Sequence, residues 1–400
     1  MKACSCNATR RMSRAISLAI FGVLPFAAGI AHADPFALPA PLTFEAGPLG
    51  KLSVQGILSG YGIYQDNKFG SPPFNGSQLP GNKYTSADIS NGQVIIQKSS
   101  GLVQFYLQAG AYNVMSLGAN FFSTGTYTQN TFGALPVGYL KIAPTDNFNV
   151  EIGKLPTLLG AEYTFSYQNW NIERGLLWGQ ENAVNKGIQF NYTAGPVTAS
   201  LSWNDGFYSN RFNWMTGALT WAINKENSVF VLAGANMGHT NYAYSSIATT
   251  PLQNNESIYN LGYTYTGESL VLTPYLQYTY VPASAVNAYS GITNGRGTST
   301  IGAAVLADYS LTKTVSVAGR VEYIANSGNP NNGAANLTGF GPGSHAWSVT
   351  VTPTYQNDGF FARAELSYVD ASSPTGYGFS GTNGLGGTQL RGMVEGGFMF

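Results

Sequence analysis

After its sixth residue this 400-residue chain contains no cysteine, because Cys4 and Cys6 are its only two. A disulfide framework, a thiolate metal site and a cysteine nucleophile are thereby excluded from nearly the whole chain. Histidine is almost as scarce. Beyond residue 33 only His239 and His345 remain, and neither stands in a metal-ligand spacing, so the sequence implies no metal and no cofactor. No nucleophile and base are displayed together, which leaves no catalytic residue to name and argues against an enzyme. Charge is thin as well: Asp, Glu, Lys and Arg make up 10% of the chain, far below the roughly 25% usual in soluble domains. No stretch after residue 33 reaches the roughly 18 continuous apolar residues that a transmembrane helix requires. The glycines Gly384, Gly386 and Gly387 precede no helix and read as loop, not as a phosphate cradle.

Residues 1–33 read as a secretory signal. Lys2, Arg10, Arg11 and Arg14 precede an apolar stretch from Ala15 to Ile30, and Ala31-His32-Ala33 offers a cleavage site ahead of Asp34. The residues after Arg10-Arg11 do not match a twin-arginine motif, so ordinary secretion is expected. Removing this segment leaves 15 Lys plus Arg against 19 Asp plus Glu, a formal charge of −4, which argues against nucleic acid as a partner.

What the chain does have is glycine (49), tyrosine (25) and phenylalanine (22), arranged in short segments of alternating apolar and polar residues. Successive residues of a strand face opposite ways. Trp347, Val349, Val351, Pro353 and Tyr355 therefore share one face, and Ser348, Thr350, Thr352 and Thr354 the other. Such segments fall near 51–64, 89–99, 102–112, 134–143, 147–154, 184–194, 196–204, 213–223, 227–238, 257–266, 269–281, 299–309, 314–325, 345–355, 359–369 and 388–400. Sixteen is an even number, and each segment has about the 9–11 residues that cross the apolar layer at a tilt, a few running longer. The joins alternate between tight turns, such as Ala194-Gly195-Pro196 and Gly267-Glu268, and long connections at 65–88, 113–133, 155–183, 205–212, 239–256, 282–298, 326–344 and 370–387. This is the topology of an all-β, antiparallel, up-and-down transmembrane barrel in residues 34–400 with both chain ends on the periplasmic side. Pro274 and Pro353 interrupt two strands, where a bulge is expected. The Asn-rich stretch from Asn326 to Asn336 reads as a flexible outer loop.

The same alternation orients side chains. Trp203, Tyr280, Tyr323, Trp347 and Tyr368 fall toward the outer rim, and Tyr355, Phe360, Phe398 and Phe400 toward the inner one, as two interfacial girdles. Arg320, Glu322, Arg363, Glu365, Arg391 and Glu395 occupy the polar phase and are expected to line the pore. Along the strands they pair as Arg320 with Glu322, Arg363 with Glu365 and Arg391 with Glu395, and the last four are expected to form one mixed-charge patch. Two readings stay open: mutual neutralisation, or a transverse field across a pore. A sixteen-stranded interior is too wide for side chains to fill, so a water-filled channel follows unless a loop plugs it. Loop 155–183 is the longest connection and carries Glu162, Tyr163, Tyr167, Trp170, Glu173, Arg174, Trp178 and Glu181. It is expected to fold inward as a constriction, where these groups would offer stacking and hydrogen bonds to a solute; folded outward, they would pack against a neighbouring protomer.

Around this loop the chain resembles a Gram-negative beta-barrel porin family described as OmpL-like. The residues that carry the likeness are Gly153-Lys154-Leu155-Pro156-Thr157, Gly160, Glu162, Asn169, Asn171, Arg174-Gly175-Leu176-Leu177 and Lys186-Gly187-Ile188-Gln189. Membership implies a pore in the cell outer membrane that passes small hydrophilic solutes. Phe398 and Phe400 also resemble the terminal signal read by the outer-membrane assembly machinery, although Glu395 stands where that signal tends to have glycine. The partners expected are thus outer-membrane lipid, small hydrophilic solutes and the assembly machinery, and association into a homotrimer stays open. The rival reading is a plugged barrel serving as a surface receptor or adhesin.

Overall fold

A computed structural model describes residues 36, 38–68, 83–240, 252–290, 295–372, 378–379 and 386–400. The expected signal segment 1–33, the start at Asp34, and Gly384 lie outside the described residues. The strands are β1 (Leu42–Glu45), β2 (Lys51–Gln65), β3 (Thr85–Lys98), β4 (Val103–Tyr112), β5 (Val137–Ile142), β6 (Phe148–Pro156), β7 (Val184–Ala194), β8 (Val197–Asn204) and β9 (Trp214–Ala222). They continue as β10 (Asn227–Asn236), β11 (Ser257–Thr266), β12 (Leu270–Val281), β13 (Thr298–Ser310), β14 (Val315–Asn326), β15 (His345–Asn357), β16 (Phe360–Ser372) and β17 (Thr388–Met399). From β2 to β17 each strand pairs antiparallel with its chain neighbours, and β17 returns to β2 from Met399↔Ile57 to Arg391↔Gln65. The result is a closed sixteen-stranded barrel with no free edge. The short β1 adds to β2 below this seam, from Leu42↔Val54 to Glu45↔Lys51.

The sixteen expected strands are the sixteen of the barrel, with ends shifted by a few residues. Their faces agree too. In β15 Trp347, Val349, Val351 and Tyr355 are exposed, whereas Ser348, Thr350, Thr352 and Thr354 are buried. Outward aromatics meet across strands at both rims: the rings of Trp347 and Tyr368 lie 5.4 Å apart, and Phe360 stands opposite Phe398. Tight turns follow local chemistry, as at Asp358-Gly359 between β15 and β16, where Asp358 takes φ 50 as a two-residue hairpin turn demands.

Two expectations need correction, and two helices come in addition. Neither Pro274 nor Pro353 makes a bulge: Pro274 pairs in register with Val305, and the β15–β16 ladder has one register on both sides of Pro353. A proline on the lipid face leaves out one donor without displacing the chain. The register shift lies instead between Ser59 and Gly60, where β2 meets β3. The Asn326–Asn336 stretch is not slack, because Asn326 donates to Ala335 O at 3.1 Å and accepts from the Leu337 amide at 2.8 Å. Finally, the outer connections contain helices α1 (Thr124–Asn130) and α2 (Ala283–Ser290) that alternation does not announce. The N-terminus of α1 is held by Asp88, whose carboxylate accepts from the Thr124 amide at 2.7 Å.

At the end of the seam a glycine receives the last residue. Gly56 exchanges both backbone hydrogen bonds with Phe400, at 2.9 and 3.0 Å, and the Phe400 ring lies where a Cβ on residue 56 would stand. Gly56→Val is expected to unseat the last residue and lower the fraction of chain that migrates as a heat-modifiable barrel on gels. Unchanged heat-modifiable mobility and yield would show that the ring finds another place.

Candidate functional site

The wall charges singled out by phase all point into the barrel, and each is at least 96% buried. Loop 155–183 lies against them. Arg320 on β14 donates to Glu162 at 2.5 Å and to Glu173 O at 2.8 Å. Its neighbour Glu322 accepts the amides of Leu176 and Leu177 at 3.0 and 3.2 Å, and Ser348 at 2.8 Å. On β16, Glu365 accepts the amides of Ile172 and Glu173 at 2.5 and 3.0 Å. Arg363 donates to the carbonyls of Ser166 and Asn169, both at 2.8 Å. On β17, Arg391 donates to the Glu173 carboxylate at 2.7 Å and to Ser116 O at 2.9 Å. Carboxylates take loop amides and guanidinium groups take loop carbonyls, so one segment of chain is bonded to inward positions of β14, β16 and β17. Such charge-assisted bonds are worth roughly twice neutral ones.

Two pairings differ from those expected along the strands. Only Arg320 and Glu322 interact within one strand, at 3.1 Å. Arg363 bonds instead to Glu395 directly across on β17, at 2.5 Å, and Arg391 turns to the loop. Glu365 and Arg391 meet at the loop instead, since the Glu173 amide donates to Glu365 and the Glu173 carboxylate accepts from Arg391. A strand holds its i and i+2 side chains well over 6 Å apart at their bases, and the loop brings partners nearer than that.

The loop's own sequence explains its path. Gly160 has φ +79, and a Cβ there would overlap the Glu181 carboxylate. Gly175 similarly lets Glu322 approach the backbone. Glu162 spans two contacts, since its second oxygen accepts the Gly175 amide at 2.8 Å. Asn169 ties the turn together, bonding Tyr163 N and O and Phe165 O, each at 2.8 Å. Asn171 donates to Thr352 on β15 at 2.7 Å. Of the aromatics, Tyr167 is buried and accepts from Gln108 at 3.2 Å, whereas Tyr163, Trp170 and Trp178 stay partly exposed. Arg174 differs from the other arginines. It is fully buried, its guanidinium nitrogens meet no acceptor among the described residues, and burial pulls its pKa down to about 10 against the opposing charge of Glu162.

Part of the interior is not wet as its phase suggested. Phe230, Leu232, Ile258, Leu306 and Ile324 face inward and pack with the loop's Leu158, Leu159, Leu176 and Leu177. The second connection also enters the barrel: Ser116 and Arg174 form a parallel bridge, with Leu117 N to Arg174 O and Arg174 N to Met115 O both at 2.9 Å. Two further inward groups escaped sequence reading. Phe36 lies 4.5 Å from Phe361, under the Arg363 guanidinium at 5.0 Å. Glu256, just ahead of β11, shares the inward phase of Ile258 and Asn260, so extending that phase by one step would have found it. No cluster of three metal-ligating side chains occurs among the described residues.

Residues 51–400 match the family model described as "Putative beta-barrel porin-2, OmpL-like". The chain belongs to this porin family. As an outer-membrane porin it shares its fold with solved channels at very low identity. It matches outer-membrane-expressed OmpT of Vibrio cholerae at a TM-score of 0.55 and 11% identity, over 88% of this chain and 99% of that one. The outer membrane channel DcaP of Acinetobacter baumannii gives 0.55 at 10%, over 87% and 97%. The trimer form of in-vitro folded Vibrio cholerae OmpT gives 0.52 at 10%, over 87% and 99%. No curated protein matched the chain.

Within the porin's loop, Glu181 is the carboxylate least provided for. One of its oxygens meets no donor among the described residues, and the other is 3.4 Å from the Tyr275 hydroxyl. Burial, followed by the charges of Glu162 and Glu322, pushes its pKa well above the ordinary carboxylate value. The folded chain thus holds this proton more tightly than the unfolded chain, and stability falls as pH rises above the usual carboxylate range. Glu181→Gln is expected to raise the thermal midpoint of detergent-purified porin at about pH 8, by the equivalent of about 1–3 kcal/mol, and to do little at about pH 4. An equal shift at both would rule out the charge as its cause.

Proposed function

We propose that this porin is a passive, non-enzymatic channel for small hydrophilic solutes and ions, narrowed by loop 155–183 held against the wall of β14–β17. What carries the reading is the set of wall charges bonded to the loop's backbone: Glu322 and Glu365 on amides, Arg320 and Arg363 on carbonyls. An idle surface loop has no use for charged anchors that sit inside a barrel. In this reading Glu162, Tyr167, Glu173 and Arg174 hold the constriction in place, whereas the partly exposed Tyr163, Trp170 and Trp178 meet the solute. The packed leucines on the β10–β14 side support a narrow and selective path over a wide general one.

The outward girdles meet outer-membrane lipid, and Phe398 and Phe400, both exposed, serve as the signal to the assembly machinery. Three copies associate. Supporting this is a shallow hollow of about 940 Å³ lined by small outward residues, among them Gly60, Gly62, Ala87, Ala362, Ala364 and Gly396, which allow close approach of a neighbour. Light scattering of the detergent-solubilised porin is expected to read three chains per particle; a single chain per particle would refute association.

Planar-bilayer recording tests the channel itself. Discrete conductance steps are expected, and silence would favour a plugged receptor or adhesin. Replacing Arg320 and Arg363 together by Ser releases the loop and leaves Glu162, Glu322 and Glu395 without their cations. A conductance rise of about twofold or more is expected, with the reversal potential moving toward cation preference. An unchanged reversal potential would remove these arginines from the path.

A further inference from the structure

Two lysines beside the loop face away from the lumen. Lys154 and Lys186 stand directly opposite each other across β6 and β7, in the outward phase of Ile152 and Phe190, at the ends where these strands meet loop 155–183. That is the outer rim. Like charges directly opposed in a sheet destabilise it, and lysine on the lipid face is unfavourable even toward the interface. The protein nevertheless builds around this pair. Both ammonium groups lie over the ring of Tyr208, at 5.5 and 3.9 Å. Lys154 donates to Phe132 O and Leu135 O at 3.1 and 2.8 Å, and Lys186 bonds to Asn210 and lies 3.6 Å from the Asp205 carboxylate. Tyr208 and Asn210 both take φ 60, two of the three non-glycine residues with positive φ among those described. Such backbone is strained and persists where the surroundings over-determine it. Of the two lysines, Lys186 is the one set against the buried Asp205 carboxylate, and Arg211, next to Asn210 in the chain, is exposed.

We propose that Lys154, Lys186 and Arg211 bind the phosphate of a phosphorylated glycolipid in the outer leaflet. An ammonium has three donors, and among the described residues Lys154 uses two on carbonyls, leaving one for a ligand oxygen. The surface below the cations is apolar and exposed at Leu140 (55%), Ile152 (46%) and Phe190 (41%). A free anion has no use for that surface, whereas acyl chains do, which is why the lipid is favoured over free phosphate. Basic pockets at a membrane interface recognise lipid headgroups by the same combination. The site draws on the porin's place in the outer membrane and not on the channel reading.

The test is binding of bis-phosphorylated lipid A to the full-length porin in detergent, with dephosphorylated lipid A and inorganic phosphate as the other arms. Lys154→Gln with Lys186→Gln is expected to weaken lipid A binding by at least about tenfold, and Lys154→Arg with Lys186→Arg to retain it. Dephosphorylated lipid A is expected to bind at least about tenfold more weakly, and inorganic phosphate not to displace the lipid. Unchanged affinity in the double Gln variant, equal binding of the dephosphorylated lipid, or displacement by inorganic phosphate would each overturn the proposal. Conductance of the double Gln variant should match that of the parent, which separates this outcome from failure of the channel reading. Should that variant not fold, Arg211→Gln carries the test, with about threefold weakening expected and none overturning it.

Discussion

A chain inside hydrocarbon finds no water for its amides and carbonyls, and every one left unpaired costs several kcal/mol. The seam between β17 and β2 answers that constraint, because without it two strands would each present an open edge to lipid. Closure then dictates the rest. Side chains of one phase must be acceptable to acyl chains, and those of the other phase are gathered into an enclosed interior. The ring of Phe400 on Gly56 shows how close to the last residue this requirement reaches.

Once enclosed, charged groups lose their water and need partners. The wall supplies some of them to itself, as in Arg363 with Glu395 and Arg320 with Glu322. Other anchors are met by the backbone of loop 155–183, which has amides and carbonyls of its own to satisfy away from solvent. Each side thus meets the other's need: a wall carboxylate without loop amides would be an uncompensated charge, and a loop without wall charges would carry orphaned donors. Glycine at 160 and 175 makes this approach sterically possible, and these are among the residues that carry the likeness to the porin family. The dry patch of Phe230, Leu232 and Leu306 against Leu158 and Leu176 adds ordinary hydrophobic burial to the same contact.

Outside the lumen the same loop flanks carry Lys154 and Lys186, so a single stretch of sequence serves two surfaces of the wall. The inward residues bond the loop to the wall, and the outward ones face away from the lumen. A period of two makes that division possible, since neighbours along a strand belong to different environments.

Strand number, strand faces and the order of short and long connections were legible in the sequence because each follows from a local rule. Alternation marks a face, membrane thickness sets a length, and a tight turn needs Gly, Asn or Asp. The same rules failed where a local signal had a nonlocal answer. Pro353 kept its register because its missing donor fell on a ladder that closes on either side, and α1, without an apolar stripe, is held by Asp88 on β3. The inward Leu306 reads as water-facing until the loop's leucines are found in the same buried cluster. That Arg320, Arg363 and Arg391 face the interior was determined by the sequence alone, through phase. Which groups they hold was decided only by tertiary structure, since Arg363 and the Ser166 carbonyl stand 197 residues apart and no spacing rule extends across a barrel.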